Sequence, residues 1–180
     1  MSDSPVLPEL PELPDDFPLV VRRAVRVVVQ DAAGSVLLFR SRDSMRPQVE
    51  HWWELPGGGI DGDETFAQTA ARELFEETGL RIDPAQVGPP LWRRSATFVH
   101  RATRRVQHEV VVRTSITEVA PSLDGSHRSD TETADFAGYR WAPVDNITSS
   151  TERFYPGRLP HYLADFLAGR EIAEPFEYWE

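Results

Sequence analysis

Apolar and polar residues alternate over several stretches of this chain, and that period of two predicts β-strands. The clearest stretch is 20–30, where valines interleave with arginines. A turn at 31–34 and a second apolar stretch at 35–40 predict a hairpin with it. Residues 52–55 form another short predicted strand, which ends at Pro56 and three glycines. Further strands are predicted at 91–100, 106–117 and 139–142.

Apolar residues recur at helical spacing in two other stretches. A helix is predicted from about Thr65 to Thr78, closed by Gly79 as a C-cap, and a second helix over 159–168. Residues 120–138 are polar and irregular, which predicts a loop. Strands outnumber helices and their order is mixed. An α/β fold with a mixed sheet is therefore expected, rather than a regular βαβ repeat.

The two parts of the chain differ in composition. Residues 1–18 carry a proline at every third position from Pro5 to Pro14, which is typical of an extended arm or a disordered leader. Residues 19–180 hold the predicted elements and are expected to form one domain. The acidic N-terminus lacks the features of a secretory signal, and no apolar run approaches a membrane span. We therefore expect a cytoplasmic location and no membrane partner.

Composition excludes several kinds of chemistry. The chain has no cysteine, which excludes disulfides, thiolate zinc sites and cysteine nucleophiles. All 19 basic residues are arginine, so a P-loop lysine and Schiff-base mechanisms are also excluded. The net charge of −10 disfavours duplex nucleic acid, and DNA is not an expected partner. Six arginines lie between Arg93 and Arg113. They either bind a small anionic substrate or form the solvated face of a strand.

The first predicted helix carries an unusual group of acids. Glu73 and Glu77 lie one turn apart on a stripe that also contains Ala70 and Phe66, and Glu76 lies beside them. Like charges at this spacing repel each other, and acids near a helix C-terminus oppose its dipole. A bound divalent cation would reverse the sign of both effects.

The glycine loop before this helix has two conventional interpretations, and both fail. Residues 57–62 satisfy GxGxxG, but Asp61, Asp63 and Glu64 would repel the pyrophosphate of a dinucleotide. The acid that should follow about 20 residues later falls inside the helix rather than at the end of a second strand. A calcium loop of the EF-hand type is also excluded, because its ligand spacing is missing.

A third interpretation joins the loop to the helix. From Gly58 to Leu80 the residues resemble the Nudix box, G-x5-E-x7-R-E-U-x-E-E-x-G-U, where U is aliphatic. All nine constrained positions match, and the preceding WELPGG is also similar to that family. The resemblance implies an α/β/α sandwich with a mixed central sheet, and it makes 19–180 a single Nudix hydrolase domain. It also implies metal-dependent hydrolysis of a nucleoside diphosphate linked to another moiety, such as a nucleoside triphosphate, ADP-ribose or a nucleotide sugar.

The same resemblance assigns residues within the box. It implies that Glu76 and Glu77 bind Mg²⁺ or Mn²⁺, that Glu73 is a ligand or the base that orients water, and that the carbonyl of Gly58 completes the shell. Oxygen ligands suit such hard cations. Arg72 would support the site by holding Glu64. The alternative for these two residues is an ordinary surface ion pair.

For residues outside the box, more than one role or candidate is possible. Outside the box, Glu132 and Glu109 are the candidates for the general base. Glu132 is preferred because it precedes the strand at 139–142, roughly where the family that the box resembles often supplies another carboxylate. Arg40 and Arg42 follow the second strand and are candidate substrate-binding residues, since guanidinium suits planar phosphate recognition. The tryptophans at 52, 53 and 92 and Phe154 serve either base stacking or the core.

Three rival functions differ from the leading hypothesis of a pyrophosphohydrolase. A Nudix-like sensor that binds nucleotides without turnover would be expected to have an eroded box, whereas this box is intact. An RNA-cap hydrolase would be expected to carry a basic extension for RNA, and the acidic chain shows none. Isomerases of the fold depend on a cysteine, which is missing. A small-molecule nucleotide is the expected partner, and a homodimer is left open.

Overall fold

A computed structural model describes residues 10–180 of the protein. Ten strands are described: β1 Leu19–Gln30, β2 Val36–Ser41, β3 Trp52–Glu54, β4 Gly57–Gly59, β5 Trp92–His100, β6 Thr103–Ser115, β7 Phe136–Ala142, β8 Phe154–Tyr155, β9 Ile172–Ala173 and β10 Glu177–Tyr178. The α-helices are α1 Phe66–Thr78, α2 Asp130–Asp135, α3 Val144–Thr148 and α4 Leu159–Leu167, and a single 3₁₀ turn covers Pro84–Gln86.

Most elements predicted from periodicity are confirmed, with ends that differ by at most three residues. The main exception is the predicted loop 120–138, which is wrong because α2 and the start of β7 lie within it. Ser129 caps α2, accepting from the backbone N–H of Glu132, while the Glu132 carboxylate accepts from the backbone N–H of Ser129. This S-x-x-E capping box is readable in the sequence. The predicted glycine turn is also partly wrong, since Gly57–Gly59 forms β4.

The strands form one mixed sheet in the order β10-β5-β6-β1-β2-β3-β8, which agrees with the predicted fold class. Strand β1 pairs with β6 in parallel along its whole length, from Leu19–Arg104 to Gln30–Ser115. Its predicted hairpin partner β2 meets it only at Gln30–Val36. On that same side β1 pairs with β4 at residues 24–26. The two halves of the sheet therefore separate beyond the β1–β2 turn.

Helices cover both faces of the sheet, as in the expected sandwich. On one face, α1 packs Ala70 and Leu74 against alternate valines of β1, Val25, Val27 and Val29. On the other face, α4 packs Leu163 and Phe166 against a core that includes Trp92. Among residues 10–180, none of the helices has the length and apolar content that a membrane crossing requires.

The predicted N-terminal arm falls only partly within the described residues, because 1–9 lie outside them. The described part of the arm contacts strands β6 and β10 of the sheet. The backbone carbonyl of Pro18 accepts from the Arg104 N–H at 2.9 Å, and that of Glu12 accepts from the Tyr178 hydroxyl at 3.1 Å. The side chain of Arg104 also pairs with Asp15.

A buried charge network attaches the C-terminal strands to β5. The guanidinium of Arg94 is fully buried and pairs with Glu109, Glu174 and Glu177. The indole N–H of Trp92 donates to the same Glu174 carboxylate at 2.8 Å. Removing one partner from such a network leaves a buried charge uncompensated, which costs about 3–5 kcal/mol.

We therefore expect Arg94→Met to lower the free energy of unfolding by about 3–5 kcal/mol, because three buried carboxylates lose their shared cation. The matched control is Arg93→Met, at the neighbouring exposed position of the same strand. It should change stability by no more than about 0.5 kcal/mol. Urea unfolding followed by tryptophan fluorescence measures both. Equal losses in the two variants would contradict a specific role for the network.

Candidate active site

Three carboxylates converge at one point on the surface of the sheet. Glu73 and Glu77 come from α1 and Glu132 comes from α2, and one oxygen of each lies within 4.8 Å of the others. Sequence reasoning selected all three as catalytic candidates. The structure thus brings together a pair from the box with a residue more than fifty positions downstream.

The position of α1 follows from its ends and its apolar face. Thr65 accepts from the Gln68 N–H and Gln68 accepts from the Thr65 N–H, so a capping box begins the helix. Gly79 ends it in the left-handed conformation with φ 74°. Ala70 and Leu74 are buried against the sheet. Glu73 and Glu77 are consequently directed toward β4.

Glycines allow β4 and α1 to approach closely. Gly57 has φ +134°, and a Cβ there would collide with the backbone carbonyl of Val25 on β1. A Cβ on Gly58 would collide with the Glu73 carboxylate. The backbone N–H of Gly57 donates to Glu77 Oε2 at 2.9 Å. A side chain at position 57 would therefore disturb the pairing of β4 with β1, and one at position 58 would displace the Glu73 carboxylate.

The carboxylates of α1 are held in an unfavourable environment. Burial raises the pKa of Glu77 well above its ordinary value, and the neighbouring charge of Glu73 raises it further. Burial also raises the pKa of Glu73, although the adjacent Arg72 opposes the shift. A positive charge nearby would favour the ionised form of both carboxylates and would lower both pKa values.

Arg72 organises the acids around this pair. Its guanidinium makes two bonds of 2.9 Å to Glu64, one of 2.9 Å to Glu73 and one of 3.2 Å to Glu76. It also donates to the carbonyl of Gly59 at 2.9 Å. Hydrogen bonding from Arg72 lowers the pKa of Glu64 to about 2. The predicted Arg72–Glu64 contact is present, and it belongs to a larger network than an isolated surface pair.

Glu76 is the predicted ligand that the structure does not bring into the three-carboxylate group. Its side chain is 40% exposed and shares Nη1 of Arg72 with Glu73. Glu76 therefore lies at the rim of the cluster, and its role as a ligand stays a prediction.

The carboxylates line a cavity of about 300 Å³ where the two halves of the sheet separate. The predicted residues Gly58 and Arg42 line it, and Arg42 also donates to the carbonyl of Ala134 at 2.9 Å. Arg40 is not among the lining residues; its guanidinium lies 6.0 Å from the Trp53 ring centre. Of the four aromatic candidates only Trp52 reaches the cavity, while Trp92 and Phe154 belong to the core.

Glu109, the second candidate for a general base, lies outside the cluster. It is fully buried and bonded to Arg26, Arg94 and Gln107. Burial alone would raise its pKa, but Arg94 and Arg26 lower it overall. Glu109 therefore serves as a buried counterion for Arg26 and Arg94, and it lines a different cavity from the one that holds the carboxylate cluster. Its role as a general base stays a prediction.

Three arginines that sequence reasoning did not select lie in the cavity wall: Arg22, Arg26 and Arg128. Arg105 lies there as well, and it is one of the six arginines between Arg93 and Arg113 that were considered for an anionic substrate. Arg128 lies over the Phe136 ring, 3.7 Å from its centre, and burial lowers its pKa. The alternation of arginine with valine in β1 and β6 was visible in the sequence. It could not show which arginines pair with acids and which face the cavity.

The donors in this cavity fit a hard divalent cation. They are carboxylate oxygens within mutual reach, and burial raises the pKa of both Glu73 and Glu77. The Glu73 carboxylate also lies directly against Gly58. Such cations prefer oxygen ligands, usually one or two carboxylates combined with phosphate oxygens and water.

Comparison with known proteins agrees with this geometry. The family model described as NUDIX domain matches residues 20–164. An RNA pyrophosphohydrolase of Rhodopseudomonas palustris is 26% identical over 155 residues, which cover 82% of this chain and 89% of that protein. One from Dinoroseobacter shibae is 40% identical over 75 residues, or 41% of this chain. That second match spans only 44% of the relative's own length.

Solved structures share the fold. A MutT protein from Methanosarcina mazei Go1 matches with a TM-score of 0.54 at 22% identity, covering 87% of this chain and 95% of its own. A C. elegans Ap4A hydrolase matches with a TM-score of 0.52 at 19% identity, covering 82% and 98%. The family model covers most of the chain, including every residue of the carboxylate cluster. This chain therefore belongs to the Nudix family of hydrolases.

Proposed function

We propose that this Nudix hydrolase is a metal-dependent pyrophosphohydrolase, which cleaves a nucleoside diphosphate linked to another moiety by attack of water on phosphorus. The observation that carries the proposal is the convergence of Glu73, Glu77 and Glu132 within 4.8 Å in a cavity large enough for a small ligand. Mg²⁺ or Mn²⁺ would be held by Glu73 and Glu77, with the Gly58 carbonyl and Glu76 at its rim. A bound cation supplies positive charge that stabilises the pyrophosphate oxygens as charge develops on them.

The chain's own groups would divide the remaining work. Arg72 fixes Glu73 and Glu64 by direct hydrogen bonds, which keeps the carboxylates in place when a substrate enters. Glu132 is the proposed general base. Its Oε2 accepts from the Ser129 N–H and hydroxyl at 2.7 and 2.8 Å. Within residues 10–180 no hydrogen-bond donor contacts its Oε1, which can therefore accept a proton from the attacking water.

The substrate is proposed as a nucleotide whose anhydride reaches the carboxylates. The expected substrates are a nucleoside triphosphate, ADP-ribose or a nucleotide sugar. A second candidate is the 5′ end of a triphosphorylated RNA. It is favoured by the Rhodopseudomonas palustris relative, which is named an RNA pyrophosphohydrolase and aligns over 82% of this chain. Recognition of base and sugar depends on the cavity wall rather than on the box.

We expect Glu77→Gln to lower kcat/KM by at least about 100-fold, because the amide cannot supply the charge that holds the cation. A panel of nucleoside triphosphates, ADP-ribose, sugar nucleotides and triphosphorylated RNA, each with MgCl₂ or MnCl₂, measures the activity. Chelation with EDTA should abolish it. The control Glu171→Gln changes an exposed glutamate beyond α4 and should retain full activity. Nucleotide binding without turnover of any substrate would support the sensor alternative instead.

Arg72→Met should reduce kcat/KM by about 10- to 100-fold, the usual effect of removing a residue that orients metal ligands. The physical reason is the loss of its contacts to Glu64, Glu73, Glu76 and the Gly59 carbonyl. Arg81→Met is the control, since Arg81 is exposed just beyond α1 and its guanidinium lies over the Phe75 ring. An equal loss in both variants would point to general destabilisation of the helix rather than to support of the site.

Glu77→Gln should also stabilise the cation-free protein at pH 8. The raised pKa means that the folded state holds the Glu77 proton more tightly than the unfolded chain, so the buried carboxylate becomes destabilising as pH rises above the ordinary carboxyl range. Glutamine keeps the acceptor for Gly57 and removes the charge. We expect a gain on the order of 1 kcal/mol, or about 2–4 °C in Tm.

Thermal unfolding in EDTA, followed by circular dichroism at pH 8 and pH 5, measures this effect. The difference between the two proteins should shrink at pH 5, and MgCl₂ should raise the Tm of the parent protein more than that of the variant. A lower Tm for Glu77→Gln at pH 8 would show that the carboxylate stabilises the fold instead.

A further inference from the structure

Two arginines in the cavity wall have no acidic partner in the part of the chain that the structure describes. Arg22 on β1 and Arg105 on β6 lie on neighbouring parallel strands, where the register pairs Val20 with Arg105 and Arg22 with Gln107. Both are partly buried and line the same cavity as the carboxylates. Arg22 donates to the side-chain oxygen of Gln107, which is neutral. Throughout residues 10–180, no carboxylate forms an ion pair with either guanidinium.

Their environment differs from that of the next arginine on the same face of β1. Arg26, four residues beyond Arg22, pairs with Glu54 and Glu109, and these acids outweigh burial and raise its pKa. Burial and the charge of Arg105 instead lower the pKa of Arg22 to about 10. Burial and the charge of Arg26 lower the pKa of Arg105 as well. Two adjacent, partly desolvated cations are unfavourable until an anion lies between them.

Strand β4 lies between Arg22 and the carboxylate of Glu73. The Glu73 carboxylate packs against the Cα of Gly58, and Nη1 of Arg22 lies 3.6 Å from the point where a Cβ of Gly59 would be. Gly58 and Gly59 are consecutive, so their Cα atoms are about 3.8 Å apart. Successive residues of a strand face opposite ways, so the Glu73 carboxylate and Arg22 lie on either side of β4. One cavity is nevertheless lined by Glu73, Arg22 and Arg105, so a chain of linked phosphates in that cavity can contact the carboxylates at one end and both arginines at the other.

We propose that Arg22 and Arg105 form an anion subsite for a phosphate that lies beyond the anhydride held at the carboxylate cluster. The preferred substrates then contain at least three linked phosphates, and the enzyme selects them over two-phosphate diesters such as ADP-ribose. This inference rests on the proposed function, because the carboxylate cluster defines which anhydride is cleaved. Guanidinium groups suit the role, since each can donate two parallel hydrogen bonds to one phosphate.

The test compares Arg22→Gln and Arg105→Gln with Arg23→Gln. Arg23 is the exposed neighbour of Arg22 on β1, and it does not line the carboxylate cavity. With MgCl₂ present, kcat/KM for ATP should fall at least tenfold in the first two variants, and that for ADP-ribose should change less than threefold. The Arg23→Gln protein should match the parent on both substrates. A similar loss on ATP and ADP-ribose would overturn the proposal, because it would show that the arginines do not distinguish the number of phosphates.

A binding measurement separates this proposal from the proposed function. Inorganic tripolyphosphate and pyrophosphate are titrated into each full-length protein with MgCl₂, and tryptophan fluorescence reports binding because Trp52 and Trp179 line the cavity. Tripolyphosphate affinity should fall at least tenfold in Arg22→Gln and Arg105→Gln, with pyrophosphate affinity nearly unchanged. Unchanged tripolyphosphate affinity would overturn the subsite even if the enzyme is active. The expected selective loss would support the subsite even if no substrate in the panel turned over.

Discussion

The contact between α1 and β4 is the constraint on which the candidate site depends. Gly57 donates its backbone N–H to Glu77, and the lack of a side chain at Gly58 lets the Glu73 carboxylate lie directly against the strand. Because β4 is paired with β1, this contact fixes the helix relative to the whole sheet. It also holds two carboxylates close together in a buried position, where burial raises the pKa of both and the charge of Glu73 raises that of Glu77 further. The buried charges destabilise the cation-free protein at this point, and a bound cation would remove that destabilisation.

The same residue type has two opposite roles around the cavity, and the neighbours decide between them. Arg26 and Arg94 are neutralised by Glu109 and other acids, so they bind β1, β5, β6 and the C-terminal strands into one framework. Arg22 and Arg105 extend from two of these strands but meet no acid among residues 10–180. The paired arginines contribute to stability, whereas the unpaired ones leave positive charge available to an anionic ligand.

Local sequence signals predicted much of this molecule. Valine alternation identified β1 and β6, and the spacing from Gly58 to Leu80 identified both α1 and the family. The error at 120–138 came from giving composition more weight than the capping box at Ser129 and Glu132. Three consecutive glycines gave no periodic signal for β4, since that strand exists only because β1 and α1 lie on either side of it. The selection of Glu132 used its place before a strand, and it could not show that α2 carries the residue.

The sequence by itself determined the elements with strong periodicity, the acidic stripe on α1 and membership of the family, because these depend on spacing along one chain. Tertiary structure decided what depends on distance between separate elements. It brought Glu132 to within 4.8 Å of Glu73 and Glu77, left Glu76 with Arg72, and buried Glu109 among arginines. It also placed Arg22 and Arg105 side by side in the cavity wall, where neither forms an ion pair within residues 10–180. Charge interactions and burial depend on three-dimensional neighbours, and those neighbours exist only after the sheet and helices have packed.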